Sequence, residues 1–209
     1  MDEDAEFYRW YGPWATFTPP QAAELLAGIP VRWWIFGGWS IDAFTGQSRV
    51  HEDIDIAFLR SDLPAVLEHL LPTHCVWSNA GGTLRPLRTP QELLDGCRQL
   101  WIRQDGASPW LFDVGLNPHE GDTWICARHN TVRLPMSEVV YEQGGISYQR
   151  PEITLLLKAW RNEPKDRADL HATVPLLAPD RLAWLRTTLE QIHPGHPWLA
   201  NLPTSTQES

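Results

Sequence analysis

The stretch "FGGWSIDAFTGQSRVHEDIDIAF", residues 36–58, decides the fold. It closes an apolar run, "VRWWIF" (31–36), whose β-branched and aromatic residues predict a strand. Gly37-Gly38 ends that strand abruptly. "SIDAFTG" then reads as a short helix, with Ser40 as its cap and Gly46 as its stop. A second strand, "HEDIDIAFL" (51–59), follows, and here Glu52, Asp53 and Asp55 interrupt an otherwise apolar sequence. Alternation along a strand turns Ile54, Ile56 and Phe58 toward a layer of helices and His51, Asp53, Asp55 and Ala57 toward the opposite face. Two carboxylates at i and i+2 repel each other, which raises one pKa unless a cation lies between them. A hard divalent ion such as Mg²⁺, held by a few carboxylates and substrate phosphates, meets that need. A solvated strand face with salt-bridged acids is the plainer alternative.

Two further features bear on the choice. A glycine turn between a strand and a helix start offers backbone N–H groups and the helix dipole to a phosphate, and lets it approach the main chain closely. Farther on, "CRQLWIRQDGASPWLFDVGLNP" (97–118) predicts an antiparallel hairpin around a Gly-containing turn. In its second strand Trp110, Phe112, Val114 and Leu116 share one face, and Asp113 stands with Leu111 and Gly115 on the other. If the two acidic strands are neighbours, Asp53, Asp55 and Asp113 converge, the arrangement that two-metal, in-line nucleotidyl transfer requires.

The remaining chain frames this segment. Its 209 residues, 43% hydrophobic and 21% charged, fit one soluble globular domain, or a domain plus a small helical appendage. A net charge of −9 argues against a broad nucleic-acid or anionic-membrane footprint, though a local basic pocket is compatible with it. No apolar run approaches the ~18 residues of a transmembrane helix. The acidic, aromatic start "MDEDAEFYRWYG" is the wrong chemistry for a secretory signal. Three scattered cysteines without a CxxC pair read as reduced thiols of a cytoplasmic protein. "HPGH" (193–196) lacks helical ligand spacing, so a metal role there is not expected. Twelve tryptophans belong mostly to the core, with a few available as an aromatic wall for a flat ligand.

Helices are predicted over 20–28, in "SDLPAVLEHLLP" with Ser61 as cap, and in a short "TPQELLDG". Residues 121–150 hold short extended pieces. From Pro151 the character changes to three helical patterns, "PEITLLLKAWRNE", "KDRADLHATVPLL" and "PDRLAWLRTTLEQI". The expected organisation is therefore a mixed core over 1–150, a helical region over 151–196 and a disordered polar tail over 197–209.

In order, spacing and strand–turn–helix context, the opening stretch resembles the signature of the nucleotidyltransferase superfamily of DNA polymerase β type. Within it, the stretch is similar to the aminoglycoside and lincosamide nucleotidyltransferase branch. Gly37, Gly38, Trp39, Asp42, Gly46, Arg49, His51, Asp53, Ile54 and Asp55 carry the resemblance over residues 31–60, and Asp113 extends it. "RPEITLLLKAW…PKDRADL" resembles the helical segment that follows in relatives, with Lys158 at a lysine position. The resemblance implies an α/β (α+β) fold: a short, mixed, twisted sheet with helices on one face and the active site on the other. A helical C-terminal region closes over the nucleotide. It implies Mg²⁺ on Asp53 and Asp55, and β- and γ-phosphate contacts from Gly37, Gly38 and Ser40. Asp113 becomes a third metal ligand or the general base for the acceptor hydroxyl. Arg49 either neutralises phosphate or pairs with a neighbouring acid, and Lys158 either reaches the triphosphate or snorkels outward. His51 packs or orients Asp53, and Asp42 bonds locally to hold the glycine turn. Lys165, Asp166 and Asp169 are expected to form helix-surface ion pairs.

The implied reaction is Mg²⁺-dependent transfer of a nucleoside monophosphate, AMP from ATP, to a hydroxyl of a small acceptor, with release of pyrophosphate. The acceptor class is an aminoglycoside or lincosamide, hence a partner that is hydroxylated and in some cases cationic. Two alternatives stay open: a toxin-type enzyme modifying a protein or tRNA, and a degenerate nucleotide-binding module.

Overall fold

A computed structural model describes residues 3–203. Helices α1 (Glu3–Tyr11) and α2 (Pro19–Leu25) lead into strand β1 (Trp33–Phe36), which passes directly into α3 (Gly37–Thr45). Then come β2 (Asp55–Leu59), α4 (Leu63–Leu70), β3 (Cys75–Ala80), β4 (Thr83–Pro86), β5 (Gln99–Arg103) and β6 (Trp110–Asn117). Short strands β7 (His119–Glu120), β8 (Thr123–Ile125) and β9 (Arg133–Pro135) form a small second sheet. The hairpin β10 (Val140–Gln143) and β11 (Ile146–Gln149) precedes three helices, α5 (Pro151–Ala159), α6 (Pro164–Thr173) and α7 (Pro179–Ile192). Each of these last three helices begins on a proline, where the missing N–H costs nothing and the fixed φ suits the first turn.

The main sheet is mixed, in the order β10-β11-β1-β2-β6-β5-β3-β4. β1 runs parallel to β11 and β2 parallel to β6, and the other neighbours are antiparallel. Alternation on these strands sorts two cores. Ile35, Ile56, Phe58, Val114 and Leu116 pack with Ala22 of α2 and with Leu63, Val66, Leu67 and Leu70 of α4. Trp34 and Ala57 face the other way, against Ile41 of α3, Ile153 and Leu156 of α5, and Leu185 and Leu189 of α7. The helical region thus covers part of the sheet face that carries Asp55 and leaves a cleft beside it.

Several local expectations are corrected. The second strand starts at Asp55 rather than His51. β1 ends at Phe36, which pairs with Asp55, and the chain then turns into α3, so residues 51–54 have no strand partner on that side. α3 starts at Gly37, which puts Ser40 inside the helix rather than at its cap. The "TPQELLDG" helix is one 3₁₀ turn, Pro90–Glu92. The polar tail does not begin at 197: Pro197–Ala200 forms a 3₁₀ turn, and Trp198 and Leu202 are buried in the second core. Residues 204–209, the rest of that expected tail, lie outside the described residues.

α1, which nothing in the sequence flagged, sets Phe7 and Tyr11 against Trp101. Trp14, Trp77, Trp101 and Trp110 complete this aromatic cluster, with the Arg103 guanidinium 4.7 Å from the Trp77 ring and 4.3 Å from that of Trp110. No described helix is long and apolar enough to cross a membrane.

Candidate active site

A cleft of about 450 Å³ lies between α3, the start of β2, the middle of β6 and the α5–α6 corner. Its geometry begins with Gly37. The residue sits at φ +69°, and a Cβ there would lie 1.9 Å from Asp55 Oδ2, so only glycine fits on both counts. At Gly38 a Cβ would meet the His51 ring at 2.9 Å and the Arg49 guanidinium at 3.0 Å. The two glycines therefore bring the N-terminus of α3, with its unpaired backbone donors, directly against the acidic loop.

Asp55 and Asp113 are register partners on neighbouring parallel strands, so their side chains stand side by side on the cleft face. Burial, then the charge of Asp53, pushes the Asp55 carboxyl up to about 7, against the pull of Lys158, Arg161 and Lys165. The Asp113 carboxyl also lies well above the usual range, first through burial and then through Asp55 and Asp53. Asp113 Oδ2 accepts from Gln99 Nε2 at 2.9 Å, while its Oδ1 is buried with no partner.

Asp53 occupies the loop before β2 and is exposed. The three acids are consequently not a preassembled ligand set: among the described residues, no three His, Cys, Asp or Glu side chains cluster closely enough to hold a metal. The donor chemistry nevertheless fits Mg²⁺, which typically takes one or two carboxylates and completes its shell with water and substrate phosphates. The orphaned Asp113 oxygen and the unrelieved repulsion at Asp55 are what such an ion satisfies.

The rest of the motif clamps the loop. Asp42, 7% exposed, accepts from Arg49 Nε at 3.0 Å, the Arg49 amide at 3.1 Å and His51 Nε2 at 2.8 Å. Trp39 stacks on His51 with ring centroids 4.1 Å apart and donates its indole N–H to the Asp53 carbonyl at 3.1 Å. Asp42 thus grips the loop bearing Asp53, rather than only the glycine turn.

Other site expectations divide. Ser40 does not reach the cleft: it is fully buried, donates to Gly37 O at 2.9 Å and lies 2.9 Å from Thr154 Oγ1. Arg49 and Lys158 line the cleft, but carboxylates already hold both. Arg49 pairs with Asp42 at 3.0 Å and Asp169 at 2.9 Å, and Lys158 with Asp166 at 3.2 Å and Asp169 at 2.9 Å. Asp166 and Asp169 are therefore buried partners of the cleft wall, not surface ion-pair residues. No tryptophan lines this cleft, so the aromatic wall is absent there among the described residues, and Phe36 supplies its one aromatic ring beside His51.

Arg128, Arg161, Lys165 and Gln99 also line the cleft and were not anticipated. Lys158, Arg161 and Lys165 recur at spacings of three and four, a signal visible in the sequence. The Pro164 break obscures it, because it reads as a turn between separate helices. Arg128 and Gln99 come from irregular or strand-end positions and left no such pattern.

Comparison with known proteins fits this geometry. Residues 20–91 match the family model for aminoglycoside-2''-adenylyltransferase, a span that contains the glycine turn, the clamp loop and β2. The solved lincosamide antibiotic adenylyltransferase LnuA, bound to lincomycin, is 18% identical with TM-score 0.52, over 76% of this chain and 97% of that one. ANT(2'')-Ia in complex with adenylyl-2''-tobramycin is 16% identical with TM-score 0.52, over 81% and 93% respectively. The solution structure of antibiotic-resistance factor ANT(2'')-Ia is 17% identical with TM-score 0.50, over 84% and 95%. No curated protein sequence matches. The fold is that of the nucleotidyltransferases.

Proposed function

We propose that the chain is a nucleotidyltransferase that moves AMP from Mg²⁺-bound ATP to a hydroxyl of a small acceptor, with antibiotics as the first candidates. The observation that carries this reading is the pairing of Asp55 with Asp113 beside the glycine-built N-terminus of α3, in a cleft whose far wall is cationic. The acceptor class is supported by the match to the aminoglycoside-2''-adenylyltransferase model and the likeness to the lincomycin- and tobramycin-bound enzymes.

Asp53, Asp55 and Asp113 are the residues that would hold Mg²⁺, which, when bound, neutralises charge on the phosphates. The α3 amides at Gly37 and Gly38 receive phosphate oxygens, helped by the partial positive charge of the helix end. Arg161 and Lys165 face them from the α5–α6 corner, where fixed cations stabilise charge that grows on the departing pyrophosphate. Asp113, with Oδ2 fixed by Gln99, directs Oδ1 to the ion or to the proton of the acceptor hydroxyl. As the hydroxyl oxygen bonds to the α-phosphorus, the α–β anhydride breaks and pyrophosphate leaves. Lys158 and Arg49 act as cross-braces and keep the acidic loop opposite α6.

The test is to offer labelled ATP and Mg²⁺ with aminoglycosides, lincosamides, bulk tRNA and cell lysate together. Label and an AMP mass increment on a small hydroxylated compound, with stoichiometric pyrophosphate, are expected. Label only on tRNA or protein would replace this reading with the toxin-type alternative, and nucleotide binding without turnover would favour the degenerate module.

A further inference from the structure

Past Gln99 and Phe36 the cleft continues into a second cavity of about 280 Å³ that the proposed reaction leaves unused. Its floor follows the same two strands, over the register pair Ala57 and Gly115, two residues beyond Asp55 and Asp113. Gly115 makes room for Phe36, whose ring would stand 3.2 Å from a Cβ at that position. Leu157 and Trp124 add apolar wall.

The polar lining is one-sided. Arg98, Arg128 and Arg161 all border this cavity, and no Asp or Glu does. Arg98 donates to the Ala127 carbonyl. Among the described residues, none of the three arginines is in an ion pair. On the neighbouring cleft wall, by contrast, Arg49 and Lys158 each hold two carboxylates. Burial and the neighbouring Arg161 and Arg98 draw the Arg128 guanidinium below its ordinary pKa, so the cluster carries unrelieved like-charge repulsion. Planar guanidinium forks around a recess without acidic lining match a carboxylate, sulfate or phosphate in bidentate fashion.

We propose that the second cavity is a subsite for an acidic group of the acceptor, so that an acceptor carrying such a group is favoured over the same compound without it. Gln99 borders both cavities and holds Asp113, so an acceptor anchored by its acid on Arg98 and Arg128 extends past Gln99 and delivers its hydroxyl to Asp113. The term acceptor rests on the proposed transfer reaction, whereas anion binding by these arginines does not. The same chemistry would suit the nucleotide's own phosphates, and the test separates the two sources.

Inorganic sulfate is titrated by calorimetry into protein saturated with Mg²⁺ and a non-hydrolysable ATP analogue. Saturable binding is expected; Arg98→Gln, whose side chain does not line the nucleotide cleft, should weaken it by about tenfold or more while the analogue's affinity stays within about twofold, and Arg128→Gln should weaken it by a similar factor. None of the three arginines belongs to the buried core, so folding should survive, and Arg98→Lys, which keeps charge but loses the fork, should fall between. Competition between sulfate and the analogue would overturn the proposal by assigning the arginines to the nucleotide. So would sulfate binding indifferent to both substitutions, or no saturable binding. Asp55→Asn should leave sulfate binding intact, so a failure of the transfer reaction and a failure of this subsite give different results.

Discussion

Replacing Asp55 by Asn should stabilise the metal-free protein while abolishing transfer. The folded carboxyl sits at about 7 against an ordinary 3.8, a displacement of about three pH units. At roughly 1.4 kcal/mol per unit, ionising it in the folded state costs up to about 4 kcal/mol. Because Asp53 shares the repulsion, about half of that is a safer expectation. The sign follows from where each state ionises. Below 3.8 both states are protonated and nothing is lost; between 3.8 and about 7 only the unfolded chain ionises, so wild-type stability falls as pH rises, and above 7 the loss is complete. Asn escapes this loss. With chelator present, the variant should melt roughly 4–8 °C above wild type near pH 8, taking ~2–4 °C per kcal/mol at this chain length. Near pH 5 the gain should shrink to about a third, since only about one of the three units has then been crossed. Melting curves at the two pH values decide it. A variant less stable than wild type near pH 8, or a gain independent of pH, would refute the idea that burial, with Asp53 beside it, holds this carboxyl up. Added Mg²⁺-ATP should stabilise wild type and not the variant, reversing the order.

Three further perturbations test the rest of the site and fold. Asp113→Asn should lower turnover by roughly 10²–10⁴-fold with Mg²⁺-ATP binding retained if Oδ1 takes the hydroxyl proton; calorimetric loss of nucleotide binding would make it a metal ligand, and wild-type turnover would remove it from the reaction. Gly37→Ala forces a Cβ onto Asp55 Oδ2 in a left-handed backbone, so denaturant melts should show at least about 1–3 kcal/mol of lost stability together with lost transfer; a neutral, active variant would show that the close approach does not exist in solution. Trp198→Ala removes a buried indole that donates to Asn162 Oδ1 at 2.8 Å and should cost about 3–5 kcal/mol, whereas an effect below about 0.5 kcal/mol would return residues 197–203 to the status of a tail.

Strand alternation made the pairing of Asp55 with Asp113 legible, because both acids break otherwise apolar faces and period two leaves no freedom about which side they occupy. Gly37-Gly38 was legible from its place between a strand and a helix, since the pairs Gly81-Gly82 and Gly144-Gly145 serve positive-φ turns instead. Ser40 departs from its expected place because a serine after a glycine turn is a good cap by propensity, while the actual helix start is set by Gly37 at positive φ. Trp198 was hidden in a sequence dense in proline and polar residues, where burial depends on α7 and Asn162 rather than on local pattern. The cationic wall was least legible. Arg128 and Arg161 reach the cleft from a loop and a helix end, and only the tertiary path brings them opposite Asp55.

The double grip of Asp169 on Arg49 and Lys158 has a consequence for how this protein can be cut and recombined. The loop that presents Asp53 is braced from a helix more than a hundred positions away in sequence, so the segment that matches the family model is not a portable cassette. A chimera that joins residues 20–91 to the helices of a relative would inherit the motif yet leave Arg49 facing an unmatched surface. Exchanges that keep Asp42, Arg49, Lys158, Asp166 and Asp169 as one block should stay folded and competent for nucleotide binding, and exchanges that divide the block should lose the loop before they lose the sheet.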